Sequence, residues 1–112
     1  MIESYSFGRI IVEGRVFTSD LVIFPERIHE SWWRESGHRL CWQDVEEAFK
    51  SQPEVLVVGT GFAGLMKVEE EVRQYAHAKG IHLIIEKTKK AVERFNEISP
   101  QKRTVGAFHL TC

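Results

Sequence analysis

The chain has 112 residues, of which 43% are hydrophobic and 28% charged, and its formal net charge is −1. That length supports one hydrophobic core rather than two, and the apolar content excludes a disordered chain. The balanced charge argues against a protein that grips nucleic acid by its phosphates, and no apolar run nears the ~20 residues that cross a bilayer.

The opening Met1-Ile2-Glu3-Ser4 lacks a basic region followed by an apolar stretch, so no secretory signal is expected. A cytoplasmic location follows, with Cys41 and Cys112 as reduced thiols. Ser6 to Val12 is rich in β-formers, Glu13-Gly14 supplies a turn, and Arg15 to Thr18 resumes, which predicts a hairpin. Asp20 to Phe24 is a near-continuous apolar run closed by Pro25, the mark of a strand buried on both faces. Arg27 to Trp33 reads as a further short strand before Gly37.

The period then changes. Val45, Ala48 and Phe49 mark one face of a helix over Gln43 to Ser51, ended by Pro53. Glu54 to Val58 is an apolar strand. Val68, Val72, Tyr75 and Ala76 mark a second helix that starts near Val68, with Phe62 to Lys67 left as a loop and Gly80 as the helix stop. Ile81 to Ile85 is a strand. Thr88 is placed to cap a third helix with the apolar face Ala91, Val92, Phe95 and Ile98. Thr104 to Leu110 is the last strand. The C-terminal half is thus β-α-β-α-β with parallel pairing, and the N-terminal strands add a hairpin layer or antiparallel edge. The expected class is α/β: three layers, a central mixed, mostly parallel sheet, and one domain over residues 1–112 without a linker.

Gly59-Thr60-Gly61-Phe62-Ala63-Gly64 matches G-x-G-x-x-G directly after a strand, and Glu86 ends the next strand. Glycines let a backbone approach a phosphate, and a helix start offers free N–H groups. Glu69, Glu70 and Glu71 would repel an anion at the following helix, and the chain is too short for a full dinucleotide fold. A glycine-rich turn and a small-ligand loop both remain open. Lys87, Thr88, Lys89 and Lys90 follow the next strand and should share the loop's sheet edge. The ligand site expected there comprises Asp20, Gly59, Thr60, Gly61, Phe62, Lys87 and Thr88.

His38 with Cys41 and His109 with Cys112 form two H-x-x-C pairs, but the spacing is unlike a structural zinc site and no metal is assigned. No serine–histidine–acid set or carboxylate pair can be assigned, so no catalytic residue is named. Trp32 and Trp33, adjacent in an expected strand, should point to opposite faces, leaving one outward for a partner.

Together these pieces resemble one family, a domain of unknown function first described from a methanogenic archaeon. Its relatives include the adipogenesis-associated protein of animals and an assembly factor of mitochondrial respiratory complex I. The likeness rests on Gly8 to Ile10, Asp20-Leu-Val-Ile with Pro25, Trp32-Trp33, and Gly37-His38. It continues through Val55 to Gly64, Lys87-Thr88, Ala91, Asn96 and His109-Leu-Thr-Cys112, and so covers nearly the whole chain. The resemblance implies the Mth-like three-layer fold and no cofactor, and lowers the weight of dinucleotide binding. It favours a non-enzymatic interaction or assembly protein, with a protein partner or second copy meeting Trp32 and Trp33. A small-ligand or anion-binding protein with its pocket at Gly59-Thr60-Gly61, an uncharacterised enzyme included, is the alternative. Neither nucleic acid nor membrane is expected as a partner.

Overall fold

In the computed structural model, which describes residues 1–112, the elements in chain order begin with five strands. These are β1 (Ile2–Ser6), β2 (Arg9–Val12), β3 (Arg15–Phe17), β4 (Leu21–Ile23) and β5 (Ile28–Glu30). There follow β6 (Arg39–Leu40), α1 (Trp42–Lys50), β7 (Val55–Thr60), β8 (Lys67–Val68), α2 (Glu70–Ala78), β9 (His82–Glu86), α3 (Thr88–Ile98) and β10 (Thr104–His109).

The central sheet has the order β5-β4-β10-β7-β9. β10, β7 and β9 run parallel, and β4 and β5 close the other side antiparallel. β1, β2 and β3 form a separate antiparallel sheet, and β6 pairs with β8. The class is therefore the expected α/β mixed sheet with a β-rich N-terminal layer.

Strand alternation sorts the core into two apolar layers. Val55 and Val57 of β7, Leu21 and Ile23 of β4, and Phe108 of β10 face α3 and the N-terminal sheet. Leu56, Val58, Val22, Val105 and Ala107 face α1 and α2. Both faces of β4, β7 and β10 are thus buried, which is why their sequences are apolar without alternation.

Several local readings change. The stretch Ser6 to Val12 is broken by a turn at Phe7-Gly8, where Gly8 has φ 75°, so two strands stand where one was expected. The Glu13-Gly14 turn has positive φ at both residues, the geometry that suits a tight hairpin. β5 stops at Glu30 because Ser31 turns to φ 57°, so the tryptophan pair lies beyond the strand. Lys67–Val68 is a short strand, and Glu69 rather than Val68 precedes α2. Thr88 is the first residue of α3 and not its cap; Lys87 takes that place, since the Thr88 hydroxyl is engaged elsewhere.

Candidate functional site

The chain leaves β7 through α2 to reach β9 on one side, then returns through α3 to β10 on the other. The carboxyl ends of β7 and β10 therefore flank the crevice where open α/β sheets place ligands. His109 pairs with Thr60 and Phe108 with Gly59, while Gly59 also pairs with Glu86 on β9. The Gly59 turn and the Lys87 turn consequently share one rim. Asp20 joins them, because the next residue, Leu21, pairs with Phe108.

The crevice is occupied by residues 110–112 of the same chain. The Phe62 N–H donates to the Thr111 carbonyl at 2.7 Å, and the Leu65 N–H to that of Cys112 at 3.2 Å. The Gly61 N–H donates to the Thr88 hydroxyl at 2.8 Å, which itself donates to the His109 carbonyl at 2.6 Å. Gly64 and Met66 donate back within the loop, to the carbonyls of Gly61 and Thr60. The N–H groups of Gly61, Phe62, Gly64 and Leu65, which a phosphate would need, are thus satisfied by protein. Gly59 and Gly61 serve close packing. A Cβ on Gly59 would lie 2.8 Å from Thr88 Oγ1, and one on Gly61 would lie 2.6 Å from the Cys112 carbonyl oxygen, at φ 106°. Lys87 lays its stem against Gly64, where a Cβ would come within 3.0 Å of its Cγ. None of the four main clefts of the molecule is lined by residues 59–62.

Beneath this rim lies a charged cluster. Arg34 Nη1 donates to Asp20 Oδ2 at 2.5 Å, and its Nη2 donates to the Gly37 carbonyl at 3.2 Å. His109 Nδ1 is 2.8 Å from the same Asp20 oxygen, and the Leu110 N–H donates to Asp20 Oδ1 at 2.7 Å. Only 5% of the Arg34 side chain and 8% of that of His109 are exposed. Burial opposes ionisation of Asp20, but the hydrogen bonds from His109, Arg34 and Leu110 outweigh it and hold its carboxyl below the ordinary value of 3.8. Tyr5 donates to the Leu110 carbonyl at 2.8 Å, and burial, with Asp20 nearby, pushes its phenol up. Arg34 Nε and His109 Nε2 are buried without a hydrogen-bond partner.

Asp20, Gly59, Thr60, Gly61, Phe62, Lys87 and Thr88 therefore gather at one rim, joined by Arg34, His109 and Tyr5, which sequence reasoning did not place there. His109 was findable: strand alternation puts it on the same face as Ala107, towards α1 and α2. Arg34 sits on an irregular segment with no period to read. Trp32 is removed from the expected interface, being only 6% exposed, with its Nε1–H donated to the Asp44 carbonyl at 3.0 Å. Trp33 is 74% exposed. The two H-x-x-C pairs do not gather into a metal-binding cluster. Burial, and then the hydrogen bond to Asp44, pushes the Cys41 thiol up, away from the range of an activated nucleophile.

Three further apolar side chains, Phe7, Phe62 and Leu65, are about half exposed. Phe7 meets Phe62 edge-on at 5.8 Å between ring centres. Both sit on backbone tied to residues 110–112, through Gly8 N–H to the Leu110 carbonyl at 2.8 Å and Phe62 N–H to Thr111.

Residues 2–110 match a family described as protein of unknown function, DUF498/DUF598. Among solved structures, the chain is similar to conserved hypothetical protein PH1505 from Pyrococcus horikoshii OT3, with 28% identity, 100% of this chain and 99% of that one covered, and a TM-score of 0.84. It is also similar to a protein designated MT938, at 22% identity, 100% and 98% coverage and a TM-score of 0.82. A Mth938-like domain from Bordetella pertussis matches at 19% identity, 98% and 85% coverage and a TM-score of 0.65. The last two share the fold, and the expected Mth-like architecture is the one observed. No helix is long and apolar enough to cross a membrane.

Proposed function

We propose that this chain, which belongs to the DUF498/DUF598 family of proteins of unknown function, is a non-enzymatic interaction or assembly protein. Its contact face is the apolar lip formed by Phe7, Phe62 and Leu65. The observation that carries this reading is the use of the glycine loop. Its Phe62 and Leu65 N–H groups are spent on the carbonyls of Thr111 and Cys112, while the side chains of those same two residues are left outward. Exposed aromatics on an immobilised backbone lose little entropy when a partner covers them, which is the profile of an interface anchor. The first partner to test is a second copy of this chain. Trp33 is a separate outward side chain, beside a small cleft under α1.

The test is sedimentation over a wide concentration range, together with photo-crosslinking from Phe62→p-benzoylphenylalanine and, as control, from Lys50→p-benzoylphenylalanine on the exposed face of α1. The expected result is reversible association that Phe62→Ser abolishes, and a discrete crosslinked dimer from position 62 alone. A monomer at every concentration, or equal crosslinking from position 50, refutes the lip as a self-contact.

The alternative of a small-ligand or anion-binding protein, an uncharacterised enzyme included, has one observation in its favour. His109 Nε2 and Arg34 Nε are buried and unpartnered, as a polar group awaiting a ligand would be. This reading requires residues 110–112 to leave the rim. It predicts that phosphate or acetate raises the melting temperature of the wild type and not of Arg34→Met.

A further inference from the structure

We propose that a second site, at the amino ends of the parallel strands, binds a small amphipathic monoanion, an apolar body carrying one carboxylate. The site is a cleft of about 710 Å³ between the β2–β3 turn, the β4–β5 turn and the segment joining α3 to β10. That volume is within the usual range of small-molecule sites, ~300–1,000 Å³. The cleft includes Arg103 and Thr104, where β10 begins, whereas the apolar lip lies where β10 ends. The two sites are therefore at opposite ends of the sheet, and neither reading depends on the other.

The floor is apolar. Val12, Ile23, Ile28 and Phe95 line it, and they belong to or pack on the core layer beneath α3 and the N-terminal sheet. Phe24 adds an aromatic wall. The rim is cationic. Arg15, Arg27, Arg103, Lys102 and the Met1 ammonium stand there; the first three and Met1 are paired with Glu30, Glu47, Glu26 and Glu13, so the surplus is the single charge of Lys102. A concave surface that concentrates positive charge over a low-dielectric floor attracts an anion with an apolar tail.

Three of the cations are fixed. Arg103 holds Glu26 through two nitrogens and donates its Nε–H to the Ser51 carbonyl. Arg27 lies 4.0 Å over the Phe24 ring and pairs with Glu47. Arg15 lies 4.9 Å over the Phe17 ring and pairs with Glu30. Lys102 alone makes no ion pair, so its ammonium is the group left to meet an incoming carboxylate. Pro25 and Pro100 stiffen the two facing turns, so the walls are set before a ligand arrives.

Octanoate, followed by amide chemical shifts in the full chain, tests this. The expected result is saturable movement at Ile28, Phe95 and Lys102, with weaker binding of 1-octanol and none of octyltrimethylammonium or acetate. Lys102→Glu should weaken octanoate about fivefold, the scale of a reversed surface charge, and Lys50→Glu, with the same change in net charge, should leave it unchanged. Absence of saturable movement overturns the proposal. So does equal binding of octanoate and octyltrimethylammonium, equal binding of 1-octanol, or equal weakening by Lys50→Glu.

Discussion

Substituting Gly61 by alanine should destabilise the fold by about 2–6 kcal/mol. The backbone there has φ 106°, outside the range that side-chain-bearing residues favour, and holding alanine in such a region costs roughly 1–3 kcal/mol. The new methyl would also lie 2.6 Å and 2.7 Å from the carbonyl oxygens of Cys112 and Thr111. Those are the oxygens that accept from Leu65 and Phe62, so relieving the collision breaks both hydrogen bonds, worth about 0.5–1.5 kcal/mol each. Gly14→Ala is the control, since it too has positive φ, 77°, but no atom within 4 Å of the added carbon. Its loss should reflect backbone strain alone. Urea unfolding with unchanged slope reads the difference, and hydrogen exchange at the Phe62 and Leu65 amides reads the broken bonds. A loop built as an open ligand cradle would lose only the backbone-strain part in the free protein, as Gly14→Ala does. If Gly61→Ala is no less stable than Gly14→Ala, with both amides still protected, the packing of residues 110–112 against the glycine loop is not what holds the rim closed.

Thr88→Val should cost about 2–4 kcal/mol in urea unfolding, because it leaves the Gly61 N–H and the His109 carbonyl without their shared partner, while Thr88→Ser should recover most of the loss. Asp20 has its pKa lowered by folding, so its stabilisation is full above pH 3.8 and fades as pH falls below that value. Denaturation midpoints between about pH 5 and 2 should therefore drop less steeply in Asp20→Asn than in the wild type. Arg34→Met should lose about 1.5–3 kcal/mol at neutral pH, the scale of a hydrogen bond to a charged group, by leaving the partly buried Asp20 carboxylate without its guanidinium partner, and the loss should shrink in acid. Trp32→Ala should cost about 3–5 kcal/mol and Trp33→Ala less than about 0.5 kcal/mol by thermal or urea unfolding, as one side chain is buried and the other is not.

Elements with a strong period were legible in the sequence. α1, α3 and the doubly buried strands β4, β7 and β10 fall within a residue or two of where apolar spacing put them. The elements missed are short ones held by distant partners: β6 and β8 form only because they find each other, and β1 is separated from β2 by a glycine turn inside an apparently continuous strand. The rim shared by Asp20, the Gly59 loop and Lys87 follows from parallel order, which alternating helices and strands predict. Its occupancy could not be read. Nothing in a glycine pattern says whether its amides will meet a phosphate or the carbonyls of residues 110–112. Arg34 was invisible for the same reason, since its role is fixed by a carboxylate fourteen positions earlier and a histidine from the opposite end of the chain.

The position of β10 has a consequence for how the protein is made. It is synthesised after both β4 and β7, yet it sits between them and is the only element that joins them. Until residues 104–109 emerge, the nascent chain holds two apolar strands with a gap where their common neighbour belongs, and that period of exposure is when chaperones would have to shield them. Synthesis of residues 21–109 therefore precedes completion of the sheet, and folding must proceed by insertion into the middle rather than growth from an edge.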